Sequence, residues 1–386
     1  MKRRALVPSV VVAILCLVLW WLPAYHPDPE VKSLTSGSEI ATALVLGTDD
    51  VNVGQYGMVR QGEQALELKL LSGRSRGRTV EATNLLRGDL EYDTFYRPGD
   101  KVLVTVNYDP DGVYSWTHPN GPFRLGAIAW LMAAFFVLLL VVCGWTGAKA
   151  ILSFVFAGLV IWKVMIPLFI AGVDPVPVAL LLVAVLSAGI MLLVGGANRK
   201  GFVALLGCCG GVVITCAMSL LFSGPFHLQG AVRPFAKTLV MRFPEFDITR
   251  LFLAGVFVAA SGAVMDLAMD VAAAMDEVNR KRPGLTRREL FASGLRVARS
   301  VIGTMTTTLL FAYSGGYMMA MMWFMVQDIP ATIFINTPFM AAEILNTLAG
   351  SFGLVTVAPL TALAGAMLFG SPASRKESPA DVSESS

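Results

Sequence analysis

Two carboxylic acids inside one long apolar stretch are the residues of this sequence best placed to do chemistry. The stretch runs from Leu251 to Met275 and contains Asp266 and Asp270. As a helix it would measure about 38 Å, enough to cross a hydrocarbon core of about 30 Å. Acids four residues apart share one helix face, and an acid inside a bilayer is costly unless it meets protein or water. We therefore expect this pair to face neighbouring helices or water.

Hydroxyl and acidic side chains in two later apolar stretches extend the candidate site. The functional interpretation is a polar site inside the membrane that takes a proton, a cation or a small solute. The structural interpretation is that the acids pair with Arg296 or Arg299, or cap a neighbouring helix, and so fix the helices. The candidate residues are Asp266, Asp270, Thr304, Thr306, Thr307 and Glu343.

Motifs for nucleotide, metal or nucleophilic chemistry do not occur in this sequence. The glycines between Gly207 and Gly211 lack the Lys and Ser/Thr of a phosphate-binding loop. His26, His118 and His227 lie far apart and have no metal-binding spacing. No zinc-protease motif or nucleophile elbow appears. We therefore expect neither enzymatic activity nor a cofactor or metal.

Composition indicates the class of protein. The 386 residues are 55% hydrophobic and only 15% charged, with a mean hydropathy of +0.65. These values are typical of a chain that crosses a membrane several times. The net charge of +3 gives no support to a nucleic-acid partner. The five cysteines lie in apolar runs, so no disulfide framework is predicted.

Charge and hydropathy together predict eight transmembrane helices in a bacterial cytoplasmic membrane. A basic start precedes the apolar run Leu6 to Leu22, which is either a cleaved signal peptide or, as we favour, an uncleaved first helix. The cationic segment 280–299 belongs in the cytoplasm by the positive-inside rule. Both termini are then cytoplasmic. The other predicted spans are 125–142, 149–171, 178–194, 202–222, 251–275, 301–326 and 339–369.

A polar segment, 24–122, interrupts the apolar pattern after the first helix. Alternating apolar residues and turn signals predict about five strands, including 39–46, 64–71, 78–83 and 101–106. Their number and spacing favour a small extracytoplasmic barrel, either OB-like or SH3-like. Mixed charges and scattered aromatics argue against oligonucleotide binding there. An envelope protein is the partner that this domain could meet.

Four regions follow from these patterns. They are an anchor over 1–23, the β domain over 24–122, a helical membrane domain over 123–370, and a disordered cytoplasmic tail over 371–386. In the predicted outer loop between the spans 202–222 and 251–275, the sequence of residues 232–242 predicts a short amphipathic or re-entrant helix.

Several short motifs resemble those of a known family. They include Ala260 to Asp266, Gly303 to Thr306, Arg199 to Phe202, Gly350 to Leu354, and Pro98 to Val102. With them, nearly the whole chain is similar to the YibE/F family of multi-pass bacterial membrane proteins. The resemblance implies an N-terminal span, a small β domain and a helical membrane part. It carries no biochemical activity.

Two positions depart from that family pattern. Ser300 stands where the family tends to have Asp, and Thr307 where it tends to have Asn. Any contribution of those side chains to a site is therefore lost here. From the acids we expect a permease-like protein for an unidentified small solute or ion. The alternative is a non-catalytic membrane protein with a structural, sensing or partner-binding role.

Overall fold

The computed structural model describes residues 2–22, 37–90, 92–109, 111–196 and 198–370. Contacts divide the chain into two units. The first contains Met1–Ala24 with Leu140–Ser386, and the second contains Tyr25–Leu139. The predicted tail, and residues 24–36 of the predicted β domain, lie outside the described residues.

A small closed barrel, as the sequence predicts, and the first part of a long helix form the described part of the second unit. Its order is β1-β2-β3-β5-β4, and only β3 and β5 pair in parallel among the described strands. The alternation of β3, in which every second residue is buried, points one face of the sheet into the barrel. The strands are β1 (Ser38–Tyr56), β2 (Val59–Leu70), β3 (Thr79–Arg87), β4 (Lys101–Tyr108) and β5 (Tyr114–Pro122).

Burial of the inward-facing side chains holds the barrel closed. Each fully buried aliphatic side chain contributes about 1.5–3 kcal/mol. The strand β5 was not assigned from the sequence, because Pro119 and Pro122 weaken a strand pattern. Strand β1 pairs with both β2 and β4, which closes the sheet. Core residues with almost no exposed surface are Ala43, Leu68, Leu70, Val102 and Val104.

Helices make up the described part of the first unit. Six stretches among the described residues are long and apolar enough to cross a membrane, counting Leu125–Ile170 as one, and Pro8–Trp21 is a shorter apolar helix. The helices are α1 (Lys2–Trp21), α2 (Leu125–Val160), α3 (Ile166–Ile170), α4 (Pro175–Val194), α5 (Arg199–Ser223), α6 (Ala236–Arg242), α7 (Ile248–Lys281), α8 (Arg287–Val326), α9 (Ala331–Ile335) and α10 (Pro338–Phe369).

The predicted spans 125–142 and 149–171 correspond to two helical segments that meet at Gly144, without the loop of several residues that the sequence suggested between them. Gly144 breaks the helical geometry of α2, with φ 53° and ψ −126°, a conformation that glycine tolerates. A π-helical segment, Ile161–Met165, joins α2 to α3. Lys163 within it donates a hydrogen bond to the Leu22 carbonyl oxygen at 3.1 Å.

Glycines let α5, α7 and α10 approach closely. A methyl group added at Gly207 would overlap Thr361, and one at Gly353 would overlap the Thr215 hydroxyl. Small residues at helix contacts permit this approach. The core between these helices contains Phe257, Val264, Leu267, Val271, Met275, Leu354 and Val357.

Candidate functional site

The two acids of the predicted site lie on the exposed side of α7. This helix begins where Asp247 accepts a hydrogen bond from the Arg250 amide at 3.0 Å. Its apolar side is buried in the helical core, whereas Asp266 and Asp270 are exposed. No ion pair or hydrogen bond joins either carboxylate to another group in the described part of the chain. Among the described residues, no helix covers the acids, which leaves water as the environment expected for them.

The three candidate threonines lie on α8, which packs against α7. Thr304 and Thr307 are exposed and Thr306 is half-buried. Each hydroxyl donates to a carbonyl oxygen of its own helix, at 2.8–3.0 Å. Their donors are thus satisfied locally, and the hydroxyl oxygens keep only acceptor capacity.

Glu343 on α10 is the candidate residue that the structure buries. The residue is 4% exposed, and its carboxylate lies 2.8 Å from Nη1 of Arg233. Arg233 belongs to the segment before α6, its side chain is 47% exposed, and its guanidinium lies 5.5 Å from the centre of the Phe252 ring. A buried carboxylate is tolerated when a cation and hydrogen bonds compensate its charge. Arg233 therefore attaches the segment before α6 to α10.

Two further polar side chains near this ion pair have no partner for one polar atom among the described residues. Asn346, which follows Glu343 by about one turn, is 3% exposed and its Oδ1 accepts no hydrogen bond. The buried Tyr313 hydroxyl of α8 is likewise unpartnered. Buried polar groups are usually hydrogen-bonded, so such atoms mark places where water or a ligand belongs. The site thus has unused hydrogen-bonding capacity.

A cavity of about 420 Å³ opens beside Asn346 and Arg233. Its size falls within the range of small-molecule sites, and its wall is apolar apart from these two side chains, as in many such sites. Among the described residues, no group of three His, Cys, Asp or Glu side chains could hold a metal ion. The other lining residues are Gly230, Pro234, Phe235, Ala236, Leu239, Ile248, Leu251, Phe252, Gly255, Val256 and Ala259.

One face of α7 connects this cavity with the two acids. Gly255 and Ala259 line the cavity, and the exposed positions continue through Gly262 to Asp266 and Asp270. The intervals of three and four residues keep all five on one side of the helix. Ala259 and Asp266 are about 10 Å apart along the axis. Sequence spacing revealed the acids but not Arg233, whose partner lies 110 residues away.

A second ion pair fixes the start of α7 next to the start of α4. Arg250 donates through Nε to Asp174 at 2.9 Å and forms a second contact through Nη2. Asp174 also caps α4 by accepting from the Val176 amide. The hydrogen bond from Arg250 holds the pKa of Asp174 below its usual value. This pair is structural and lies outside the cavity.

Long apolar helices together with a small closed barrel are typical of multi-pass membrane proteins that carry a β domain. Residues 131–371 match the family model described as YibE/F-like protein, and residues 47–118 match the YibE/F family N-terminal domain. The chain belongs to the YibE/F family, which confirms the resemblance seen in the sequence. No curated protein and no solved structure matches it.

Proposed function

We propose that this chain spans the bacterial cytoplasmic membrane eight times, with both termini in the cytoplasm and the barrel outside. The stretch Leu125–Ile170 supports two crossings, because its 46 residues would measure about 69 Å as one helix. Gly144 is a natural place for the chain to turn. The short apolar helix α1 and the five other long helices complete the count. The basic groups at 2–4, 199–200 and 280–288 then fall on one side.

Within this arrangement we propose permeation of a small solute or ion. The observation that carries the proposal is the cavity beside the Arg233–Glu343 ion pair, where the buried Asn346 has an unused acceptor. Transport sites commonly place a few polar groups in an apolar wall near the middle of a helix bundle. The exposed face of α7 would continue the route from this cavity to Asp266 and Asp270.

The alternative is a non-catalytic structural, sensing or partner-binding role. Its simplest form has the acids paired with Arg296 or Arg299, but the described residues contain no such pair. Two exposed carboxylates without partners are poor anchors. They are better suited to a route for protons, cations or polar solutes.

Flux measurements on purified protein in vesicles test this proposal. The panel would contain protons, sodium ions and small carboxylates. We expect Asp266→Asn to abolish flux of the transported species at unchanged melting temperature, because the deeper acid carries the exchangeable charge. We expect Asp270→Asn, which is nearer the cytoplasmic end, to retain most of the flux.

Glu277→Gln is the matched control, because Glu277 is exposed on the same helix and pairs with Lys281 at its end. It should leave flux unchanged. A stable Asp266→Asn protein with full flux would remove this acid from the proposed route and favour the alternative role.

A further inference from the structure

The closed barrel has a weakly paired seam between β3 and β5. Strand β3 pairs with β2 along its whole length, from Thr79 to Arg87, and β5 pairs with β4. Within the described residues, one bridge, Ala82 to Thr117, joins β3 to β5. The facing edges of both strands are therefore largely unpaired. An unpaired strand edge is a template for another strand.

The register shows which backbone groups of β3 face this seam. The Leu70 amide donates to the Arg78 carbonyl oxygen at 3.0 Å, so the backbone of Arg78 points toward β2. Backbone direction alternates along an antiparallel ladder. The backbone groups of Thr79, Glu81 and Thr83 consequently point away from β2, toward β5. Thr79 precedes the single bridge at Ala82 by three residues, so its amide and carbonyl groups are available to a new partner.

A groove of about 1060 Å³ lies over this seam. It follows β3 from Arg78 to Thr83 and β5 from Tyr114 to His118, and it extends over neighbouring parts of β2 and β1. All of these residues belong to the barrel. The groove therefore combines a free strand edge with space along it.

The charge in the groove is unbalanced. Glu67 and Glu81 are direct cross-strand partners, and neither has a cationic partner in the part of the chain that the structure describes. Like charges directly opposite each other are destabilising. Asp49 adds a third carboxylate, whereas Arg78 lies over the Tyr114 ring at 4.7 Å. The acids are thus open to an external cation.

Two neighbouring side chains of β5 border the seam, Trp116 on the outer face of the barrel and Thr117 on the inner face. Thr117, at the bridge, is 5% exposed, lines the groove, and has a hydroxyl without a hydrogen-bond partner among the described residues. Trp116 next to it is 55% exposed. The buried hydroxyl leaves a hydrogen-bonding group unused beside the seam, and the exposed indole gives the groove an apolar surface. The indole face would also attract a cation.

We propose that this seam binds an extended, basic segment of another polypeptide. The segment lies in the groove along β3 and hydrogen-bonds to the Thr79 amide and carbonyl, which the single bridge leaves free. Its Lys or Arg side chains lie beside Glu67 and Glu81 in the groove that Trp116 lines. Nucleic acid is the wrong charge for this groove. An oligosaccharide would use the indole but not the strand edge. This inference is independent of the proposed transport function.

Peptide binding to the full-length protein in detergent micelles tests the proposal. The probe is a fluorescein-labelled nine-residue peptide of alternating Lys and Val, with a Glu and Val peptide as its negative counterpart. We expect saturable binding of the first peptide only, measured by fluorescence anisotropy. Removing the charge pair with Glu67→Gln/Glu81→Gln should weaken binding about tenfold or more, because charge-assisted contacts are lost.

Glu63→Gln is the matched control, since Glu63 is exposed on β2 but does not line the groove. It should leave the dissociation constant unchanged. The charge-removing variants should also fold well, because they relieve repulsion. Thr79→Pro removes the amide that faces the seam, and Thr79→Val retains it. We expect the first to weaken binding severalfold and the second to have little effect.

Three results would overturn the proposal. The first is no saturable binding of the basic peptide. The second is equal binding by the wild type and the Glu67→Gln/Glu81→Gln variant, which would indicate adsorption elsewhere. The third is equal binding by Thr79→Pro and Thr79→Val, with displacement of the peptide by a chito-oligosaccharide. That last result would assign the groove to a glycan.

Discussion

The Arg233–Glu343 ion pair is asymmetric, because its carboxylate is buried and its guanidinium is half exposed. Without Arg233, the buried carboxylate of Glu343 has no compensating cation. Without the Glu343 charge, the half-exposed guanidinium of Arg233 can still be solvated by water. We therefore expect Arg233→Met to lower the free energy of unfolding by about 3–5 kcal/mol. Glu343→Gln should cost about 1 kcal/mol. Thermal unfolding of both variants in detergent measures the difference.

The double variant Arg233→Met/Glu343→Gln serves as the control for this asymmetry. It removes both charges and should recover much of the stability lost in Arg233→Met. Equal losses in the two single variants would mean that the carboxylate is compensated by some other group.

The buried Tyr96 should make the stability of the barrel depend on pH in alkaline solution. Burial raises the pKa of Tyr96 to about 12, against about 10 in an unfolded chain. Between these values the unfolded chain has lost the phenol proton that the folded barrel keeps. The contribution of Tyr96 to the free energy of unfolding should therefore be fully present below pH 10 and be lost as the pH rises through 12, by up to about 2.7 kcal/mol. Denaturant titrations at several pH values, with Tyr96→Phe as the reference, would detect this slope.

At the scale of elements, the contact between α5 and α10 depends on glycine. Gly353→Ala would place a methyl group against the Thr215 side chain and close to the Gly211 carbonyl oxygen. We expect a loss of about 1–3 kcal/mol from overpacking. Gly303→Ala on α8 is the matched control, because a methyl group there meets nothing within 4 Å. It should be neutral or stabilise by up to about 1 kcal/mol. Melting temperatures in one detergent would compare the two, and equal effects would contradict close packing at Gly353.

Elements with strong periodic patterns were predictable from the sequence. The long apolar runs became helices because their length and composition permit little else, and β1 to β4 overlap the four strands assigned from alternation to within one residue at the ends of 64–71 and 78–83. The strand β5 was missed because Pro119 and Pro122 obscure its pattern. The separation of the first two long helical segments was predicted, but its position at the single residue Gly144 was not, because nothing local distinguishes this glycine from the others in apolar runs.

The site was predictable only in part, for a different physical reason. Helical spacing places Asp266 beside Asp270, since both belong to one element. Arg233 meets Glu343 only through tertiary packing, which no local pattern encodes. Asn346 was visible in the sequence, but its unused oxygen depends on what surrounds it. Spacing within an element can be read from sequence, whereas contacts between elements cannot.

At the scale of the whole molecule, the proposed orientation predicts which surfaces reagents can reach. Met58 in the barrel is 86% exposed, and Arg288 at the start of α8 is also exposed. In a background with the exposed Cys143 replaced by Ala, we expect Met58→Cys to react with an impermeant maleimide on intact cells. Arg288→Cys should react only after permeabilisation. The reverse pattern would invert the proposed topology.

The π-helical segment Ile161–Met165 affects how the chain can change in length. A π turn holds one more residue than the α turn that it replaces. Deleting one residue elsewhere in a long helix rotates everything that follows by about 100°, which would turn buried faces outward. A deletion inside 161–165 would instead restore an ordinary α-helix and keep Phe169 of α3 in the helical core. This segment therefore gives the chain a position where a codon can be lost without changing the register of the helices.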